Sequence, residues 1–282
     1  MNEFILDLID SGVGIFNELC EKAIYLASRY LGDLPGYDNV VRAVIGAFAG
    51  TAKGAAYSLI VLFFLIGILK SCTNLQELRR PEYLYGALLR LAIATWLVKH
   101  AYTIAMDIYR ICQGLGDALL YAFGWDNQRI NISGGYLNED MEEAILDASW
   151  KEALPLFAIA LIAAILSIVI GAVILFTVLG RSWRIAILLG LSPLCWAGLA
   201  GEPTQGFTRG HLKALIACGL EVVVFFMAFR LYQYVLTYEL LGGDGWTIAG
   251  ALLWRMTEAI LCQLILCGII KGADRITEKV IA

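Results

Sequence analysis

From Ala153 to Gly180 the chain reads ALPLFAIALIAAILSIVIGAVILFTVLG, without one charged side chain. A hydrocarbon core of about 30 Å needs roughly 20 apolar residues in helix, and a backbone in lipid must satisfy its own polar groups. This segment therefore has to cross a bilayer as a helix, and the rest of the chain has to fold around it. Composition agrees, with 60% hydrophobic and only 16% charged residues, where a soluble domain carries about 25% charged. A soluble fold this apolar would expose aggregating patches. The net charge of −4 offers no basic stripe with which to displace counterions from nucleic acid. The 282 residues read as one all-α, polytopic transmembrane helical bundle, with no room for a large soluble module.

Four more stretches are apolar enough to cross: Gly54 to Leu69, extended backward through AVIGAFAGTAK; Tyr83 to Tyr102; Leu212 to Val235; and Trp246 to Ile270. Arg184 to Ala200 is apolar but short, and Gly190, Ser192 and Pro193 interrupt it. Residues 1–31 place Ile5, Leu8, Ile9, Ile15, Phe16 and Leu19 at helical spacing with acids opposite, which suits a helix lying on the membrane or packing on a neighbour. Residues 103–124 repeat that pattern, and the 125–152 loop ends in a short acidic helix. These features divide the chain into an amphipathic region, 1–39, on the external side, and a transmembrane domain, 40–282. The acidic start, MNEFILDLID, lacks the basic region of a cleavable signal peptide, so insertion is expected to use the first membrane helix.

Basic residues in short loops mark the cytoplasmic side. Lys70, Arg79 and Arg80 follow one span, Arg181 and Arg184 another, and Lys271, Arg275 and Lys279 the last, whereas the 125–152 loop is strongly acidic. Five crossings, with the N-terminus outside and the C-terminus cytoplasmic, satisfy all of these if Arg184 to Ala200 dips in and returns. A re-entrant break at Gly190, Ser192 and Pro193 would have to face protein or a water-filled lumen.

Ionisable groups within spans are functional candidates. Glu221, Arg230, Arg255 and Glu258 form the expected intramembrane charge cluster, which either holds two helices in register or lines a polar path or subunit seam. Arg255 and Glu258, three residues apart, can pair within one helix. Gly46, Gly50 and Gly54 lie one turn apart on a single helix face, where another backbone can approach closely.

No catalytic signature is present: no H-E-x-x-H, no Walker loop, no G-x-S-x-G. Ser192 has no base near it in sequence. The seven cysteines contain no C-x-x-C, and the two histidines are far apart, so no disulfide framework, metal site or cofactor site is expected. The cysteines read as small hydrophobes.

Several segments occur in a telling order: the basic loop with RRPEYLYGALLR, the acidic loop, the long span ending in RSWR, then LLGLSPLCWAGLAGEPTQGFTRGHLKALIACGLEVVVFF, and a last span closing in KGADRITEKVIA. This order resembles the TrbL-like polytopic subunits of conjugative type IV secretion systems, in the compact form of Gram-positive mobile elements. A typical member has Ala before the proline where this chain has Ser192, and larger relatives carry a longer C-terminal tail. The resemblance implies a non-enzymatic subunit of the cytoplasmic membrane that homo-oligomerises around a translocation path. It would work with other secretion-system subunits, including separate ATPases, and help DNA–protein substrates or fibre components cross. The alternative is a stand-alone small-molecule or ion transporter, favoured by the intramembrane charges and the broken segment.

Overall fold

A computed structural model describes residues 2–29, 38–72, 81–124, 139–147, 150–237 and 248–281. The basic residues Arg79 and Arg80, most of the acidic loop and the YELLGGDGW turn lie outside the described residues. The chain is an all-α helical bundle of α1 (Asn2–Ser28), α2 (Asp38–Cys72), α3 (Pro81–Ala122), α4 (Glu139–Leu146), α5 (Trp150–Trp196), α6 (Gln205–Thr237) and α7 (Ile248–Ile281). A 3-10 turn, Ala197–Ala200, closes α5.

Among the described residues, four helices are long and apolar enough to cross a membrane: Ala43–Lys70, Ala153–Ala200, Gln205–Val235 and Trp254–Ile281. The stretch Tyr83 to Tyr102 is not among them. It forms helix, but it is fused with the amphipathic stretch after it into the single α3, which Arg90, Lys99, His100, Asp107 and Arg110 make less apolar. The sequence pattern splits one helix in two there because its apolar face changes character without a breaker.

The largest departure is in α5. Its helix passes through Gly190, Ser192 and Pro193 without interruption and ends at Trp196, so the break expected at these three residues is absent. Proline removes one backbone donor and crowds the preceding turn, yet the helix continues past Pro193 to Trp196. The Ser192 hydroxyl adds a bond to the Leu188 carbonyl at 3.0 Å, and Phe48 packs over Gly190, where an added Cβ would come within 2.8 Å of its ring. Tertiary packing overrides the weak local propensities.

The fold divides into two compact units. The first comprises Met1–Ser28, Gly116–Gly180 and Val222–Ala273. In it α1 runs lengthwise and parallel along the first half of α5. Ile5 and Ile9 share a cluster with Ala153, Leu156 and Ala160, while Phe16, Cys20 and Ala27 share one with Ile170, Ile174 and Val178. The N-terminal helix thus packs on a neighbour. Glycine sets the approach: a Cβ on Gly12 would stand 2.6 Å from that of Ala164, and one on Gly171 would stand 3.0 Å from Leu19. Phe225, Phe226 and Phe229 of α6 fill the space beside them, and the Asn2 side chain donates to the Leu146 carbonyl at 2.8 Å, tying α1 to the end of α4.

The second unit comprises Arg29–Leu115, Arg181–Glu221 and Asp274–Ala282. Here the second half of α5 and the first half of α6 form an antiparallel hairpin. Its turn is built from small residues because nothing larger fits: a Cβ on Gly198 would meet the Thr204 carbonyl at 2.9 Å, and Gly201 lies against the Phe63 backbone. Thr204 Oγ1 bonds the Gly198 carbonyl at 2.7 Å, and Thr208 Oγ1 bonds the Cys195 carbonyl at 2.7 Å. α2 runs parallel to this half of α5, with Ala56 and Ile60 packed near Trp196 and Ala197. Only 17% of its most apolar window is buried, against 56% for α6, so Leu62, Leu65 and Leu69 present a surface that lipid accepts and water does not.

Gly12→Ala is expected to destabilise the protein in detergent by about 1–3 kcal/mol through overpacking against Ala164. Gly14→Ala, on the open side of the same helix, should be neutral or stabilise by up to about 1 kcal/mol. Thermal unfolding of both variants checks this, and equal effects would contradict the α1–α5 contact.

Candidate functional site

The densest buried charge lies where α5 enters the second unit. Arg181 is 1% exposed. Its Nε donates to the Cys218 carbonyl at 3.0 Å, and an Nη donates to the Gly219 carbonyl at 3.3 Å. The same Nε stands 4.0 Å from Glu221 Oε2, and the half-exposed Arg184 donates to Glu221 Oε1 at 3.2 Å. Two arginines one turn apart on α5 thus bracket one buried carboxylate on α6. The planar guanidinium suits this task because it can serve several acceptors at once. Gly219 makes the site possible from the other side: a Cβ there would collide with Cys112 of α3 at 2.7 Å.

The charges proposed as one cluster therefore have different surroundings. Glu221 belongs to the second unit, with Arg181 and Arg184 as partners, whereas Arg230, Arg255 and Glu258 belong to the first. Arg255 and Glu258 approach within 4.0 Å on one helix face, both largely buried. Arg230 donates to Gln233 at 3.1 Å and lies against the rings of Phe123 and Tyr234. The sequence missed Arg181 and Arg184 as partners because they read as a basic end to a span. The signal was there in their spacing, since Arg181 and Arg184 share one face if the helix continues beyond Gly180.

Ser192 and His211 form a second buried polar contact, 3.3 Å from Oγ to Nε2. The sequence offered Ser192 no neighbouring base, and the α5–α6 hairpin supplies one from nineteen residues away. Its geometry is the reverse of an activated nucleophile, in which a base takes the hydroxyl proton. The single hydroxyl proton goes to the Leu188 carbonyl, which leaves the oxygen to accept from Nε2–H. Ser192 is also fully buried, and the pair stitches the hairpin.

Gly46, Gly50 and Gly54 face open space: a Cβ at each would find no atom within 4 Å. No residue described within the chain packs on this face. Among the described residues no group of three or more His, Cys, Asp or Glu is placed to hold a metal.

Residues 53–193, half of the chain, match the family described as TrbL/VirB6 plasmid conjugal transfer like protein. The chain belongs to this family. The match runs from Lys53 in α2, through α3 and α4, to Pro193 near the end of α5, so it includes Arg181, Arg184 and Ser192 and stops short of Glu221. No curated protein matches the chain. Membership of the TrbL/VirB6 family, with four helices fit to cross a membrane, identifies a multi-pass membrane protein of the conjugal transfer type.

The two arginines should differ sharply on substitution. Arg181→Met leaves Glu221 buried with only a half-exposed partner and is expected to cost about 3–5 kcal/mol, while Arg184→Met should cost no more than about 1 kcal/mol. Chemical or thermal unfolding in detergent measures both. A larger loss at Arg184 would overturn this assignment.

Proposed function

We propose that the protein is a non-enzymatic structural and channel subunit of a conjugative type IV secretion apparatus, forming a homo-oligomer in the cytoplasmic membrane. The observation that carries this reading is the family match over residues 53–193. In this reading the N-terminus and the acidic 125–152 loop lie outside the cell, and the C-terminal end of α7, with Lys271, Arg275 and Lys279, lies in the cytoplasm. Separate ATPases supply the energy, and DNA–protein substrate or fibre components are the cargo.

Two features support assembly into a larger machine. The greasy, little-buried face of α2 needs lipid or protein around it. The face of Gly46, Gly50 and Gly54, open within the chain, lets a second helix approach closely, and small-x-x-x-small faces are used for this in membranes. We assign it to the contact between copies. The charges Glu221, Arg230, Arg255 and Glu258 keep helices in register in this reading. The expected break does not separate this reading from the stand-alone transporter: Gly190, Ser192 and Pro193 lie in continuous helix, which offers neither the lumen-facing break expected of a channel subunit nor the half-helices of a transporter.

In a mating assay, in-frame deletion of the gene is expected to reduce plasmid transfer below detection, with full restoration by a plasmid-borne copy. Undiminished transfer by the deletion strain would refute the assignment. Gly50→Leu should leave the chain folded and membrane-inserted, yet lower both the oligomer fraction in native gels and the transfer frequency by about tenfold or more. That ratio corresponds to roughly 1.4 kcal/mol lost from the contact. An intact oligomer would exclude the glycine face as the seam.

A further inference from the structure

Within the first unit, a groove of about 80 Å³ runs between α6 and α7. Ala228, Leu231 and Val235 line one side, and Cys262, Ile265 and Ile269 the other. It exists because Ala228 and Cys262 are too short to close the space between the two helices. Both helices are among the spans, Gln205–Val235 and Trp254–Ile281, so the groove lies at membrane depth. Its rim is open to the surroundings, with Leu231 56% and Ile265 62% exposed.

The lining decides what can enter. Water needs two to four polar partners, and these side chains do not supply them. A helix, about 10 Å across with its side chains, is too thick for the space. A hydrocarbon chain is thin enough, and it gains the dispersion contacts that an empty groove forfeits.

The same face of α7 carries charge at one end of the groove. Arg255, Glu258, Cys262, Ile265 and Ile269 recur at intervals of three and four and so share one side of the helix. Glu258 is close enough for its charge to act on the Cys262 thiol. Arg255, paired with Glu258 at 4.0 Å, has a side chain 20% exposed. Beside it the exposed Trp254 opens the span, and tryptophan and arginine at the end of a span belong to headgroup level. Cys262 and Ile269 lie about 10 and 21 Å along the helix from Arg255, the reach of one leaflet from headgroup to midplane.

We propose that the α6–α7 groove seats one acyl chain of a membrane phospholipid whose phosphate meets Arg255. The guanidinium fork suits a phosphate, Glu258 holds it from below, and the groove takes the chain. The site lies within the first unit and holds whatever the apparatus transports.

The test uses the full-length chain in uncharged detergent micelles and a phosphatidylglycerol probe with a diazirine midway along one acyl chain. After photolysis, labelled residues are identified by mass spectrometry, and Leu161, Ile162, Ile165 and Val169, exposed on α5, gauge ordinary apolar contact. The expected result is label in 228–235 and 262–269 severalfold above that on α5. Cys262→Phe, which fills the groove, should bring it down to the α5 level. Arg255→Gln, or a diacylglycerol with the same diazirine chain, should raise the probe concentration for half-maximal groove label about tenfold, the loss of one charge-assisted contact. Groove label no stronger than on α5 in the unsubstituted chain would overturn the proposal, whether or not the variants fold. A second copy seated there would exclude the lipid and give that same result. Unchanged half-maximal labelling with both Arg255→Gln and the diacylglycerol would remove the phosphate contact and overturn it as well. None of these outcomes bears on plasmid transfer.

Discussion

A helix that carries no charge from Ala153 to Gly180 has only lipid and other apolar helices for solvent, and the remaining elements are arranged to meet that condition. α1 covers one side of it, at a distance that Gly12 and Gly171 set. The aromatic residues of α6 cover another. Where it is left bare, Leu161, Ile162 and Ile165 make a surface suited to hydrocarbon. Because backbone groups in lipid have no water to bond, each of these neighbours is itself helical.

The second half of α5 obeys a different rule. Past Gly180 the helix carries Arg181 and Arg184, and it continues into the hairpin because both charges are answered from α6. Arg181 donates to two backbone carbonyls and faces Glu221. Removing water from an arginine and a glutamate is costly, and only good geometry with further hydrogen bonds repays it. The arrangement therefore fixes the pairing of α5 with α6 more than it adds stability. Ser192 with His211 and Thr208 with the Cys195 carbonyl repeat the lesson further along: short polar contacts set the register of the hairpin that apolar packing then fills.

Much of this was legible in the residues. The buried face of α1 follows from Ile5, Ile9 and Phe16 at helical spacing, and the pairing of Arg255 with Glu258 follows from a separation of three. The span that starts at Ala153 is readable from the absence of charge, and those around Leu212 and Trp254 from apolar length in spite of Glu221, Arg230, Arg255 and Glu258. What failed has a common cause. Arg181 looks like a membrane boundary, and Pro193 like a break, when only their immediate neighbours are considered. Their actual environment comes from residues 37 positions on for Arg181 and from Phe48 and His211 around the last turns of α5. Long-range partners leave no trace in local periodicity, so α5 read as two segments, as did α3. The glycines at 46, 50 and 54 were visible as a face, but only the structure shows that nothing among the described residues occupies it.

The account stands or falls on this chain being an embedded, multi-copy part of a transfer machine. Affinity purification of the tagged chain from native donor membranes, followed by native mass spectrometry of the detergent-extracted complex, measures this directly. The account predicts a species that resists alkaline extraction and contains several copies of the chain together with other transfer subunits. A single copy without partners, or recovery of the chain in the soluble fraction, would contradict it.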